Sequence, residues 1–138
     1  MLFTSFASGS TGNCAIYRSG NACVLIDAGT NTKFIRSCLE LVGLSLGDLT
    51  HVLVTHSHGD HVSALPVLGK HTHAELVCSE DTYYSLKNPW ERSAVFTPGE
   101  HFELAGCPIR TFSTPHDAPG SCGYILGEGE RQVAYCTD

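Results

Sequence analysis

Apolar residues in this chain come in short runs whose spacing changes along its length. Leu2–Ala7 predicts a strand, and Ser8-Gly9-Ser10-Thr11-Gly12-Asn13 predicts the turn after it. Cys14–Arg18 and Ala22–Asp27 predict two strands joined across Ser19-Gly20-Asn21, a hairpin signal. The period then becomes helical, with Phe34, Ile35, Cys38, Leu39, Leu41 and Val42 on one stripe; Thr30 or Asn31 can cap its start and Gly43 can stop it. Leu49–Val54 is a continuous apolar run, the pattern of a strand covered on both faces. A short helix from about His61 to Leu68, limited by Pro66, precedes a second buried strand at Glu75–Cys78. Ser79 caps a further helix carrying Tyr83, Tyr84 and Leu86. The last third predicts strands at Ala94–Thr97, His101–Leu104, Ile109–Ser113, Gly123–Leu126 and Gln132–Thr137. Helices interleave with buried strands early and hairpin-like strands dominate late, so the expected class is an α/β sandwich rather than a doubly wound sheet.

Composition changes this picture little until histidine is counted. A length of 138 residues, 42% hydrophobic, suits a single domain over 1–138 and excludes disorder as the overall state. Fourteen Gly and six Pro exclude a long coiled coil. The net charge of -6 argues against a broad basic surface for duplex nucleic acid, although bound divalent metals reverse the sign locally. No apolar run approaches the ~20 residues of a membrane-spanning helix, and no membrane partner is expected. The seven Cys contain no C-x-x-C pair, and no leader pattern opens the chain. They read as reduced, largely structural thiols of a cytoplasmic protein. Eight His equal the whole Lys plus Arg count, and imidazole is the commonest metal-ligating side chain.

The chemistry concentrates in His56-x-His58-x-Asp60-His61, directly after the apolar run that ends at Val54. Four metal-competent side chains in six residues cannot converge from a regular strand or helix. On a tight loop at a strand's end they can, and Gly59 supplies backbone freedom there. Imidazole with carboxylate suits zinc, manganese or iron better than calcium. His116 and Asp138 each follow a predicted strand, and spacing alone leaves both open between ligand and solvated side chain. Asp27 leaves the very apolar Val24-Leu25-Ile26 and needs hydrogen-bond partners if buried; orienting a ligand imidazole suits it. His71 and His73 repeat the H-x-H spacing without the D-H that follows, and read as surface residues. His51 and His101 read as strand-edge residues. Asp117 could assist proton transfer, but satisfying loop amides is the simpler expectation. Trp90 either packs over a loop or lines the mouth of the site.

Together these segments resemble the metallo-β-lactamase superfamily, and more narrowly the YycJ/WalJ/VicX-type metallohydrolases. The narrower likeness rests on Ser8-Gly9-Ser10-Thr11-Gly12-Asn13-Cys14, Leu25-Ile26-Asp27-Ala28-Gly29, Pro115-His116-Asp117-Ala118 and Thr137-Asp138 around the H-x-H-x-D-H core. The resemblance implies an αββα sandwich with the site at one edge between two sheets. It implies two divalent ions, zinc with manganese or iron as alternatives: His56, His58 and His116 on the first, Asp60 and His61 on the second, Asp138 bridging. Asp27 would support the ligands without binding metal, and Asp60, His116 and Asp138 would also serve catalysis.

Two such ions lower the pKa of a shared water from ~15.7 toward ~7, so the implied activity is metal-dependent hydrolysis by an activated hydroxide. A phosphodiesterase or nuclease acting on DNA or RNA is the leading expectation, with a thioester or lactone hydrolase as the alternative. The Ser8–Asn13 turn could offer backbone N–H groups to a phosphate. The family's fold usually needs far more residues, so the chain is expected to hold the first half of the sandwich and the opening strands of the second. A metal-binding module without efficient catalysis is the other alternative, and the chain by itself is expected to hold at most one ion tightly, at His56, His58 and His116.

Overall fold

The apolar runs pair into two sheets in the computed structural model, which describes residues 1–87 and 89–137. Strands β1 (Leu2–Ala7), β2 (Cys14–Ser19), β3 (Ala22–Ile26), β4 (His51–Leu53), β5 (Glu75–Ser79) and β6 (Ser93–Phe96) lie side by side in that order. The first three are antiparallel and β3 to β6 run parallel. Strands β7 (His101–Leu104), β8 (Cys107–Ser113), β9 (Cys122–Leu126) and β10 (Val133–Tyr135) form an antiparallel sheet in the order β10-β9-β8-β7. Four helices accompany the first sheet: α1 (Thr32–Leu41), α2 (Gly59–Val62), α3 (Leu65–Leu68) and α4 (Glu80–Ser85).

Side chains alternate across a strand, and here both faces of the six-stranded sheet are covered. Cys14, Ile16, Cys23 and Leu25 pack with Ile35 and Leu39 of α1 and Leu65 and Leu68 of α3. Their neighbours Ala15, Tyr17, Val24 and Ile26 face the other way, onto Ile109, Tyr124 and Leu126 of the second sheet. This is why β3 is buried at all five positions. Each fully buried Leu or Ile contributes about 1.5–3 kcal/mol. The layers are helix, sheet, sheet; the outer helical layer of an αββα sandwich has no element among the described residues.

Local chemistry sets the ends of the elements. Asn31 caps α1 by accepting the Phe34 N–H at 2.8 Å. Gly43, at φ +78°, ends it: Leu44 N–H reaches the Leu39 carbonyl at 2.8 Å and Gly43 N–H reaches Glu40 at 3.1 Å, a Schellman motif. The expected Leu49–Val54 strand is only His51–Leu53. A capped 3-10 turn at Leu46–Asp48 occupies the approach, and Leu49 and Val54 are buried outside the ladder. The single helix expected over His61–Leu68 is two short ones. Pro66 sits in the first turn of α3, where its missing N–H is not needed, so the proline opens a helix instead of limiting one. The strand expected to reach Asp27 stops at Ile26 because Asp27 turns to φ +62°. The last strand shortens from Gln132–Thr137 to Val133–Tyr135.

Five of the seven Cys, at 14, 23, 78, 107 and 122, are buried hydrophobes in these cores, and all seven are free thiols. Burial pushes Cys78 and Cys122 up to about 12, which keeps them protonated and unreactive. Among the described residues, no helix is long and apolar enough to cross a membrane. The parallel register sets Ile26 beside Leu53 and Leu53 beside Val77, so the carboxyl ends of β3, β4 and β5 open onto one edge. That edge of an α/β sheet is where ligand sites form.

Candidate metal centre

Three strand ends supply the side chains at this edge: Asp27 after β3, Thr55 to His61 after β4, and His116 in the loop between β8 and β9. Ring nitrogens of His56, His58 and His116 that could serve as metal ligands lie within 4.8 Å of one another. Ligand atoms of His56, Asp60 and His61 form a second group within the same limit, so His56 belongs to both. His58 and His116 approach through Nδ1 and Nε2 at 3.1 Å. Asp138, expected to bridge two metals, lies outside the described residues.

The anchor of the group is the fully buried Asp27 carboxylate. Its Oδ1 accepts the Thr55 N–H at 2.8 Å, and its Oδ2 accepts the Thr55 hydroxyl at 2.8 Å and His61 Nδ1–H at 2.6 Å. A carboxylate only accepts, so the one hydroxyl proton of Thr55 is committed to Asp27. His56 Nδ1, 3.0 Å from the same hydroxyl, must then donate to it. One buried acid therefore assigns the same tautomer to two imidazoles and leaves the Nε2 lone pair of each facing the cluster. His56 Nε2 is buried without a hydrogen-bond partner, an orphaned acceptor where a cation would fit. Burial and then the neighbouring imidazoles push His56 down to about 4, so it is a neutral, ligand-competent ring at neutral pH. Burial raises the Asp27 carboxyl above its usual range, opposed by His61 and Thr55.

Backbone contacts hold the loop against these side chains. Asn13 N–H and Ala28 N–H donate to the carbonyls of Asp60 and His61 at 2.8 and 2.9 Å, and the Asn13 amide reaches Asp60 Oδ2 at 3.3 Å. The approach needs Gly29, since a Cβ there would lie 1.6 Å from the Asp60 carbonyl oxygen. The Ser8–Asn13 turn thus braces the loop. Its Gly9, Gly12 and Asn13 N–H groups are engaged within the protein and are not offered to a phosphate. The second sheet locks on through Cys122 N–H to Thr55 O at 2.9 Å and the buried Tyr124 hydroxyl to Val54 O at 2.6 Å. The His116 loop is closed by Thr114 and Ser121 and docked by the Ser79 hydroxyl on Gly120 O at 2.7 Å.

Asp117 departs from expectation. Instead of satisfying loop amides, its exposed carboxylate lies 3.4 Å from both His58 Nε2 and His116 Nε2. His51 and His101 open β4 and β7, and His71 and His73 are exposed and outside the cluster, as expected. Sequence reasoning left Asn13, Thr55 and Gly29 without roles, although all three stand inside the motifs that drew attention. Their function depends on neighbours 28 to 47 positions away.

The profile of the family described as Metallo-beta-lactamase superfamily matches residues 7–138. The chain belongs to the metallo-β-lactamase superfamily. It is 28% identical over 141 residues to the exodeoxyribonuclease YycJ of Bacillus anthracis, a match over 99% of this chain and 53% of that protein. The exodeoxyribonuclease WalJ of Streptococcus pneumoniae serotype 2 is 27% identical over 143 residues, with the same shares. A solved B3 metallo-β-lactamase with an active-site glutamic acid shares the fold at a TM-score of 0.77 and 24% identity, over 91% of this chain and 56% of the other. The chain thus spans about half the length of the curated relatives it matches. Superfamily members are generally hydrolases, and the described residues carry a His/Asp cluster that could hold metal.

Two outcomes follow from the buried network. Asp27→Asn keeps the shape and tolerates a positive φ, but sets an amide N–H against donors. It should cost about 1–3 kcal/mol in denaturant unfolding and weaken metal binding about 10–100-fold. Unchanged values would show that the carboxylate is not the anchor. With chelator present, the unfolded chain takes up a proton on His56 near 6.5 and the folded chain only near 4. The unfolded state binds more protons between those values, so this group lowers stability as pH falls through that window. His56→Gln should flatten the acid side of the stability profile; an identical slope in both proteins would contradict the depressed value.

Proposed function

We propose that the chain carries the metal-binding half of a phosphodiester hydrolase that acts on nucleic acid. The supporting observation is the convergence of His56, His58 and His116, with His56 Nε2 buried and left without a hydrogen bond. In this reading those three imidazoles hold one divalent cation. Asp60 and His61 contribute to a second, with Asp138 between the two. The nitrogen and carboxylate donors suit zinc, and manganese or iron are the alternatives. When bound, such cations acidify water and offset the negative charge that develops on a phosphoryl group.

The chain's own residues provide the positioning. Asp27 and Thr55 hold the His56 and His61 rings with their Nε2 atoms inward, and Asn13 fixes the Asp60 carboxylate. Tyr124 and Cys122 keep the second sheet, and with it His116, in register with the β4 loop. Burial pushes up the Cys14 and Cys122 thiols beside the site, which keeps them protonated rather than nucleophilic. Support for nucleic acid as substrate comes from the two exodeoxyribonuclease relatives.

Elemental analysis after dialysis against zinc or manganese should find about one tightly held ion per chain, lost in His58→Ala, because three imidazoles complete a protein site with one open position. A panel of phosphodiester, thioester and lactone substrates should then show metal-dependent phosphodiester cleavage that His58→Ala abolishes. Absence of bound metal, or turnover confined to thioesters or lactones, would overturn the proposal.

A further inference from the structure

Two adjoining surface hollows meet at Trp90. One, of about 270 Å³, opens beside Ser57, the residue between His56 and His58, and has Lys87 in its wall. The other, of about 580 Å³, continues past Lys70 and Arg92. Pro66, Pro89 and Trp90 line both. Three of the chain's eight Lys and Arg residues border this strip, against one carboxylate, Glu91. Three other hollows, beside Arg110, Val95 and Arg131, carry at least as many carboxylates as Lys and Arg. In a protein of net charge -6, the strip is thus a local concentration of positive charge, and Ser57 at its edge is the chain neighbour of His56 and His58.

Trp90 is fixed in this strip. Its indole N–H donates to Leu65 O at 2.8 Å, and its ring lies on Gly69, where a Cβ would come within 2.5 to 2.9 Å of three ring atoms. The absent side chain at Gly69 makes room for the indole. Arg92 gives one N–H to the His73 carbonyl, and its guanidinium has other donors to offer. A rigid aromatic wall between spaced cations is the arrangement that holds unpaired nucleic acid: bases stack on the ring and phosphates meet the charges.

We propose that this strip binds an unpaired nucleic-acid strand and leads it to the His56, His58 and His116 cluster, with a base against Trp90 and phosphates at Lys87, Lys70 and Arg92. The proposal rests on the nuclease reading above and names where the strand lies.

Trp90 is the sole tryptophan of the sequence, so its fluorescence reports on this strip alone. With chelator present, short oligothymidylate should quench that fluorescence, with binding followed in parallel by anisotropy of a labelled strand. Lys70→Ala and Lys87→Ala should each weaken binding roughly 3- to 10-fold and reduce the log–log salt slope by about 1. Glu91→Gln should tighten it, and Lys33→Ala, on α1 outside the strip, should leave it unchanged. Circular dichroism melts of each variant separate lost contacts from lost folding. Quenching by oligothymidylate or by oligouridylate supports the strip, and the relative affinities of oligodeoxyuridylate and oligouridylate identify the preferred sugar. Binding without quenching, affinity indifferent to Lys70 and Lys87, or equal quenching by a duplex would overturn the strip. So would cleavage by the metal-loaded protein with no binding in chelator; each of these leaves the nuclease reading standing. Failure of the metal-loaded protein both to bind and to cleave any strand would overturn that reading itself.

Discussion

A carboxylate with no exposure to water organises this molecule. Asp27 sits at the end of a strand buried on both faces, in a left-handed backbone conformation that few residues accept. Desolvating it is costly unless its oxygens are fully engaged, and Thr55 and His61 engage them. Those contacts tie the end of β3 to the end of β4 and to the loop beyond. The tautomers of His56 and His61 follow from them. So does the direction in which their ring nitrogens face.

The two sheets answer the same constraint from farther away. A loop carrying four polar side chains cannot be buried unless its backbone groups are paired. Asn13 and Ala28 pair it on one side, and Cys122 and Tyr124 on the other. Gly29 allows the chains to approach closely enough, and Ser79 docks the His116 loop through Gly120. The second sheet therefore packs against the first through apolar contacts while also positioning the histidine that completes the three-imidazole group.

Much of this was legible in the sequence. Runs such as Ala22–Ile26 and the stripe from Phe34 to Val42 announced their elements because both depend on local periodicity. The H-x-H-x-D-H segment marked the candidate site because four metal-competent side chains crowded onto one strand-end loop are an unusual local pattern, and the structure brings them together. Boundaries were less legible where a turn competed with a ladder, as at Leu46–Asp48, or where a proline could open a helix as well as end one, as at Pro66. The roles of Thr55, Asn13 and Gly29 were invisible, since each is defined by a partner distant in sequence. The turning of Asp117 toward His58 and His116 likewise depends on how two loops meet.

Cobalt substitution reads the cluster most directly, because the visible absorption of cobalt(II) depends on the type and geometry of its ligands. The protein loaded with cobalt should show a ligand-field spectrum of low coordination number with nitrogen donors, altered by His116→Ala and by His56→Ala alike. A spectrum indistinguishable from aqueous cobalt, or one unaffected by both substitutions, would show that the convergent imidazoles are not a metal site.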